Sequence, residues 1–347
     1  MRTPDPTSGP PAPTPQPAAQ AVPGELTVVW EATGCGVGAI APIFEQRLIS
    51  VGFCDAQSGS RSVVWETRTG FEWRRVFETE PDVTLWALST DGNTGGALIG
   101  GWDANTTPQM WRGDIFDGFD QNEPTTLSTE DGYAMVRGIE WGDGDYLAIG
   151  LEQRQGEERN PPVAWHYTDT GPWTLIAPPP DATELDDVTY GPDPNTYTVG
   201  GATNDFKAAI WRLSNGTTWT TAIELPAGLD QAAWTLLDAH TVLGRNALWE
   251  ENEDGEWQLT QLPSGVDAYT GVLLDDGLLV FGSKPDASDN PEVVVLAAGA
   301  DRRWGALDID PSDRRKLIRS AVLFDDRVIA AGDAIWMGPD SIGPYLR

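Results

Sequence analysis

The chain has 347 residues and a formal net charge of −31, and these properties exclude several classes of function. A surface so rich in carboxylates repels the phosphates of nucleic acids and the anionic lipids of membrane surfaces. No run of about 18 apolar residues is present, so the sequence predicts no membrane-spanning helix. We therefore expect no nucleic-acid partner and no direct insertion into a membrane.

The first 23 residues form a segment rich in Pro, Thr, Ala and Ser. Such a segment cannot bury enough apolar surface to offset its ordering entropy, so residues 1–23 are predicted to be a disordered tether. Tethers of this kind are common between a lipid or membrane anchor and an exported domain. We expect a secreted or surface-tethered, lipoprotein-like protein whose export signal is removed from this chain, and a cytoplasmic protein is the alternative.

After this segment, a short apolar strand that ends in glycine recurs seven times. The copies lie at 48–52, 97–101, 146–150, 197–201, 241–244, 278–282 and 328–332. Most of them are followed by a second strand that carries a tryptophan, and Asp-Gly or similar acidic hairpins precede several. Periods of roughly 40–50 residues with several strands per unit are typical of radial all-β arrays.

Each repeat is predicted to form one blade of four antiparallel strands. The blades run approximately over 35–81, 82–133, 134–183, 184–228, 229–267, 268–314 and 315–347. The seventh repeat lacks a fourth strand, whereas an unassigned strand at 25–31 precedes the first repeat. Pairing these two incomplete ends would close a ring and remove exposed strand edges. The sequence therefore predicts an all-β, seven-bladed β-propeller over residues 24–347, closed by its N-terminal strand.

The hairpins between the third and fourth strands resemble the Asp-box repeats of sialidase-like β-propellers. In WRLSNGTTW at 211–219, Ser214 stands where the box places Asp before the tryptophan, and in EDGEW at 253–257 the spacing is compressed. The resemblance implies a propeller fold. Sialidase-like enzymes also use an arginine cluster and a tyrosine nucleophile. Arg137 and Arg319 lie on innermost strands, and three tyrosines lie near such strands: Tyr133, Tyr190 and Tyr269. Their spacing reproduces no catalytic pattern.

Two cysteines, Cys35 and Cys54, flank the first hairpin of the first repeat. An antiparallel hairpin brings these positions together, which favours a disulfide; two buried free thiols are the alternative. Neither histidine belongs to a nucleophile or metal motif, so we assign no catalytic residue and no metal ligand. No cofactor is expected. A structural Ca²⁺ in an Asp-rich loop such as 286–289 stays open, although Asp in hairpins is usually turn chemistry.

The loops between the second and third strands share one face with the connections between blades. They are long in the first four repeats, longest at 151–162, and nearly absent in the fifth and seventh. Loops on a rigid scaffold are frequent sites of recognition. The candidate ligand-binding residues are the aromatic and charged side chains of these loops, namely Trp102, Asp103, Arg154, Arg159, Asp205 and Lys207. Solvated loops without a ligand are the alternative.

The sequence thus favours a monomeric, non-catalytic extracytoplasmic module that presents these loops to a protein, peptide or glycan. A sialidase-like glycoside hydrolase acting at the central channel is the alternative, and a structural spacer is a third hypothesis. Converging Arg, Tyr and paired carboxylates at the channel mouth would favour the enzyme. A mouth filled by apolar side chains would favour binding.

Overall fold

A computed structural model describes most of the chain after residue 19. The described residues are 20–31, 34–44, 47–55, 59–91, 95–114, 119, 124–130, 133–154, 160–168, 171–191, 193–226, 233–275, 277–299, 301–310, 312–314 and 316–338. Within these ranges the regular structure consists of β-strands, and no helix there is long and apolar enough to cross a membrane. The N-terminal tether prediction falls almost entirely outside the described part of the chain.

The first four blades each use consecutive strands along the chain. Blade one contains β2 (Cys35–Pro42), β3 (Leu48–Cys54), β4 (Arg61–Thr67) and β5 (Arg74–Glu78). Blade two contains β6 (Thr84–Thr90), β7 (Gly96–Trp102), β8 (Pro108–Asp114) and β9 (Thr125–Thr126). Blade three contains β10 (Ala134–Trp141), β11 (Asp145–Glu152), β12 (Pro162–Thr168) and β13 (Thr174–Ile176). Blade four contains β14 (Ala182–Tyr190), β15 (Thr196–Thr203), β16 (Ala208–Ser214), β17 (Thr218–Trp219) and β18 (Ile223–Glu224).

The last three blades follow the same order. Blade five contains β19 (Thr235–Asp238), β20 (Thr241–Leu243), β21 (Ala247–Glu251) and β22 (Trp257–Gln261). Blade six contains β23 (Asp267–Leu274), β24 (Gly277–Pro285), β25 (Pro291–Gly299) and β26 (Trp304–Ile309). Blade seven contains β27 (Ile318–Phe324), β28 (Arg327–Gly332) and β29 (Ile335–Met337), and its fourth strand comes from the other end of the chain.

That fourth strand is β1 (Gln20–Trp30), and it joins two blades. Its second half, from Thr27 to Trp30, pairs antiparallel with β29, which confirms the predicted closure of the ring. Its first half pairs parallel with β26 and adds a fifth strand to blade six, a contact the sequence did not predict. Leu26, at the junction of the two halves, is 1% exposed. The last blade is therefore tied to its neighbour by one continuous strand.

Burial between blades explains the composition of the repeats. Second strands are covered on both faces by neighbouring blades; every residue of β11, for example, is buried. Such strands need near-continuous apolar runs. The tryptophan of each third strand fills the space between blades, and these indoles are at most 4% exposed: Trp65, Trp111, Trp165, Trp211, Trp249 and Trp336. Val295 takes this place in blade six.

Blade two has a short fourth strand, β9 at Thr125–Thr126, and the aromatic side chain of Phe119 lies outside it. Phe119 is 2% exposed and packs in the core near Trp111. A Cβ at Gly113 would overlap the ring of Phe119, so the absence of a side chain there gives the ring its site.

Cys35 and Cys54 form the predicted disulfide. They lie directly opposite each other at the open end of the β2–β3 hairpin. The crosslink closes a loop with a sequence separation of 19 residues. By the chain-entropy model, a loop of this length contributes about 3 kcal/mol to stability.

Candidate ligand site at the channel mouth

The seven first strands form the wall of a central channel. Each of them contacts the first strand of both neighbouring blades, so the wall is continuous around the ring. We define the upper face as the face where second strands end and third strands begin. The lower face carries the hairpins between first and second strands. The N-terminal ends of all seven first strands therefore lie at the upper mouth of the channel.

The repeat glycine at or near the end of each second strand allows an irregularity in the first strand opposite. A Cβ at Gly150 would overlap the carbonyl oxygen of Met135, and five other repeat glycines meet a first-strand carbonyl in the same way: Gly52, Gly101, Gly201, Gly282 and Gly332. Glycine in a strand often marks such a close backbone approach or a bulge. All seven first strands have a register shift of this kind, and in six it follows directly after the residue paired with the glycine.

The extra residue of six of these bulges lines a cavity of about 740 Å³ inside the channel. These residues are Gly38, Trp86, Arg137, Asp186, Tyr269 and Arg319. Blade five differs because its bulge lies further along the strand, and there Trp234 and Thr235 line the cavity. Bulges of this kind re-aim a side chain and are over-represented beside functional sites.

Four aromatic side chains surround this cavity, and we call them the aromatic group: Trp86, Trp102, Trp234 and Tyr269. Trp86, Trp234 and Tyr269 are 49%, 44% and 38% exposed. Trp86 packs against Trp102 with ring centroids 6.3 Å apart. The guanidinium of Arg245 lies 5.5 Å from the ring centre of Trp234, a cation–π contact that fixes this ring from the rim. The aromatic surface is therefore both accessible and held in place.

Two arginines reach the same cavity, each with its own carboxylate. Arg137 Nη1 donates to Asp186 Oδ1 of the neighbouring blade at 2.6 Å. Arg319 Nη1 donates to Asp333 Oδ1 at 2.7 Å, and the backbone N–H of Leu317 donates to the other oxygen of Asp333. The arginine side chains remain 37% and 32% exposed. Each guanidinium is thus oriented by one ion pair and keeps further N–H groups for a ligand.

Burial raises the pKa of three carboxyl groups in this part of the channel wall. The pKa of Asp186 rises to about 7, mainly through loss of hydration, and the nearby Arg137 lowers it only in part. Burial likewise raises the pKa of Asp187 to about 6, and hydrogen bonds from the N–H groups of Leu236 and Val188 oppose this shift. The pKa of Glu140 rises to about 8, because burial and the charge of Asp187 both disfavour its ionised form.

The residues predicted from the loops lie on the same face but not all in the cavity. Only Trp102 lines it. Arg154 pairs with Glu130 at 2.6 Å and with Glu152 at 2.9 Å on the rim of blade three. Lys207 pairs with Glu224 at 2.8 Å on the rim of blade four, where Asp205 is exposed beside it. Arg159 lies outside the described residues.

Asp103 supports the turn that contains it. Its Oδ1 accepts the backbone N–H groups of Asn105 and Thr107, at 2.8 and 2.9 Å. Asp286 repeats this arrangement in blade six, where its Oδ1 accepts the N–H groups of Ser288 and Asn290. This is the turn chemistry weighed above against Ca²⁺ binding. Within the described ranges, no group of three or more His, Cys, Asp or Glu is placed to hold a metal ion.

The site residues predicted from the sequence did not include Trp86, Trp234, Asp186 or Asp187. A usable signal was present, because each bulge residue precedes its repeat glycine by roughly 13–15 positions along the chain, and bulges recur at such close backbone approaches. At that distance the alternation of apolar and polar residues is interrupted, as at Arg137 and Asp186. Counting back from the glycines would have identified most of the cavity lining.

Exposed apolar side chains are concentrated on the upper face. Among the described residues, nine large hydrophobic side chains are exposed. Six of them lie at or near the upper face: Phe53, Trp86, Tyr133, Phe206, Trp234 and Tyr269. Only Phe44, Phe71 and Leu323 lie at the lower one. The upper face is therefore the more apolar of the two faces.

Comparison with known proteins identifies the architecture. Neither a family model nor a curated protein matches the sequence. The WD40 β-propeller domain of Doa1 superposes with a TM-score of 0.52 at 12% identity, over 91% of this chain and 99% of that one. An acylaminoacyl peptidase of Pyrococcus horikoshii gives 0.50 at 11% identity, over 86% of this chain and 49% of the peptidase. A Trypanosoma rangeli sialidase in complex with the inhibitor DANA gives 0.48 at 8% identity, over 93% and 58%. Likeness at these identities concerns the fold and not the activity. With seven antiparallel blades arranged in a closed ring, the chain is a seven-bladed β-propeller.

Proposed function

We propose that this protein is a non-catalytic binding module that holds its ligand at the upper mouth of the channel. The observation that carries this proposal is the aromatic group around the 740 Å³ cavity. Exposed aromatic rings in a concave, rigid setting are the residues that most often supply binding energy. The closed ring of blades positions them without a large ordering cost on binding. The ligand class is a protein, peptide or glycan.

In this proposal the loops of blades two to four extend the contact surface beyond the cavity. Trp102 joins the two regions, because it ends β7 and also lines the cavity. Arg154 and Lys207 would contact outlying parts of the ligand after exchanging or sharing their carboxylate partners. Asp205 and Arg159 belong to loops between second and third strands and would join this contact surface. Asp103 would act by shaping its loop.

An extracytoplasmic location is part of the proposal. The Cys35–Cys54 disulfide supports it, because such bonds persist in oxidising compartments and are rare in the cytosol. The N-terminal segment would act as the tether of a monomeric module.

Binding assays with the double variant Trp86→Ala/Trp234→Ala test the proposal. The probes are an immobilised panel of oligosaccharides and a peptide library. We expect wild type to bind members of one panel, and the double variant to bind them at least tenfold more weakly (about 1.4 kcal/mol or more). Phe71→Ala, which removes a ring on the lower face that is 46% exposed, is the matched control and should bind as wild type does. Equal binding by all three proteins would contradict the proposal.

A glycoside hydrolase is the second candidate, and one observation favours it. The cavity brings together Arg137, Arg319, Tyr269 and carboxyl groups whose pKa values are raised to about 6 and 7. A carboxyl that stays protonated near neutral pH can act as a general acid. Release of reducing ends from the bound oligosaccharides, lost on Asp187→Asn, would favour hydrolysis over binding alone.

A further inference from the structure

The charges at the channel mouth are largely balanced. Each arginine that reaches the cavity is paired with its own carboxylate, Arg137 with Asp186 and Arg319 with Asp333. The chain as a whole carries a charge of −31, a field that disfavours anionic ligands. Two accessible guanidiniums in the wall disfavour cationic ones. The electrostatics of the mouth therefore fit an uncharged ligand.

The Arg137–Asp186 pair presents hydrogen-bond donors and an acceptor next to each other. Arg137 uses Nη1 for Asp186 Oδ1 and keeps other N–H groups on a side chain that is 37% exposed. The second oxygen, Asp186 Oδ2, is buried and has no hydrogen-bond partner, on a side chain that is 5% exposed and lines the cavity. Buried acceptors are nearly always hydrogen-bonded in native proteins, so a donor from a bound group would be favourable at this oxygen.

A hydroxyl group suits this pair, because it can both donate and accept a hydrogen bond. Two vicinal hydroxyls could accept from Arg137 and donate to Asp186 at the same time. The aromatic group adds rings whose electron-rich faces attract C–H groups. A pyranose ring has both features, since it carries vicinal hydroxyls at its edge and an apolar C–H surface on its face.

We infer that the channel mouth binds an uncharged oligosaccharide. Its ring faces stack on the aromatic group, and a pair of its hydroxyls bridges Arg137 and Asp186. This assignment rests on the proposed binding function and gives it a ligand class. Peptides and sialylated glycans are the competing ligands, and the experiment separates them.

The experiment measures binding of the full chain to an array of uncharged and sialylated oligosaccharides and to a peptide library. Hits are quantified by isothermal titration with the free saccharide. The variants are Trp234→Ala and Asp186→Asn, with Asp193→Asn as the matched control, because Asp193 is exposed on the lower-face hairpin of the same blade. Thermal melts followed by circular dichroism verify that each variant is folded.

We expect wild type and Asp193→Asn to bind uncharged oligosaccharides with equal affinity. Trp234→Ala should abolish binding, and Asp186→Asn should weaken it about tenfold, since a carboxyl oxygen that accepts from the ligand is replaced by an amide NH₂ group. Preference for sialylated glycans, or full affinity in Asp186→Asn, would overturn the inference. Tryptophan-dependent binding of peptides alone would overturn it and leave the proposed function standing. Ligand binding that no mouth variant weakens would refute both.

Discussion

At the scale of single residues, burial in the channel wall disfavours the ionised form of several carboxyl groups. Glu140 is the strongest case, because burial and the neighbouring charge of Asp187 raise its pKa from 4.5 to about 8. A carboxyl whose pKa is raised on folding favours the folded state while it is protonated. That contribution is fully present below pH 4.5 and is lost as the pH rises through 8.

Glu140→Gln should therefore change stability in a pH-dependent way. At pH 4 the variant and wild type should unfold at similar temperatures, because Glu140 is then largely protonated in both the folded and the unfolded state. At pH 9 we expect the variant to melt about 2–4 °C higher, since it cannot ionise. Thermal melts followed by circular dichroism at several pH values provide the measurement. Glu72→Gln, at an exposed position, is the control and should show no such trend; a gap that is constant with pH would argue against a buried charge at Glu140.

At the scale of elements, the repeat glycines leave room for the backbone at the bulges of the strands opposite. Gly52 lies opposite the bulge of β2, where a Cβ would overlap the carbonyl oxygen of Gly36. Gly38, in the same hairpin, has room, because its nearest neighbour would be 3.7 Å from an added Cβ. Gly52→Ala should destabilise the protein by about 2 kcal/mol or more, whereas Gly38→Ala should be tolerated. Urea unfolding of both variants measures this difference, and equal losses would show that the bulge does not depend on the glycine.

These bulges also explain which parts of the structure could be predicted from the sequence and which could not. The glycine-ended strands and the buried tryptophans repeat locally, so blade number and ring closure were predictable from their spacing. The cavity lining was missed, because a bulge shifts the register by one residue and reverses which side chains face the channel, and only the spacing back from the repeat glycines marks its position. Trp86 and Asp186 therefore appeared as ordinary strand residues. The parallel pairing of β1 with β26 was also missed, since it involves residues 20–26 of a segment without an alternating pattern.

At the scale of the whole molecule, β1 secures the ring. Removing residues 1–30 would expose the outer edges of β26 and β29 and delete the buried side chain of Leu26. We expect a loss of about 3 kcal/mol or more, and aggregation through the exposed edges. Removing residues 1–19 alone should leave the unfolding transition unchanged. Scanning calorimetry and size-exclusion chromatography compare the two truncations, and identical behaviour would contradict the role of β1 as the closing strand.

The direction of β1 determines how the propeller is presented. Gln20 pairs with Gly305 at the start of β26, beside the hairpins of the lower face, and β1 runs upward from there. Gln20 therefore lies on the side opposite the aromatic group. Anything attached directly at Gln20 would hold the protein from beneath, with its opening turned toward the surroundings, and an arriving ligand would not compete for space with such an attachment.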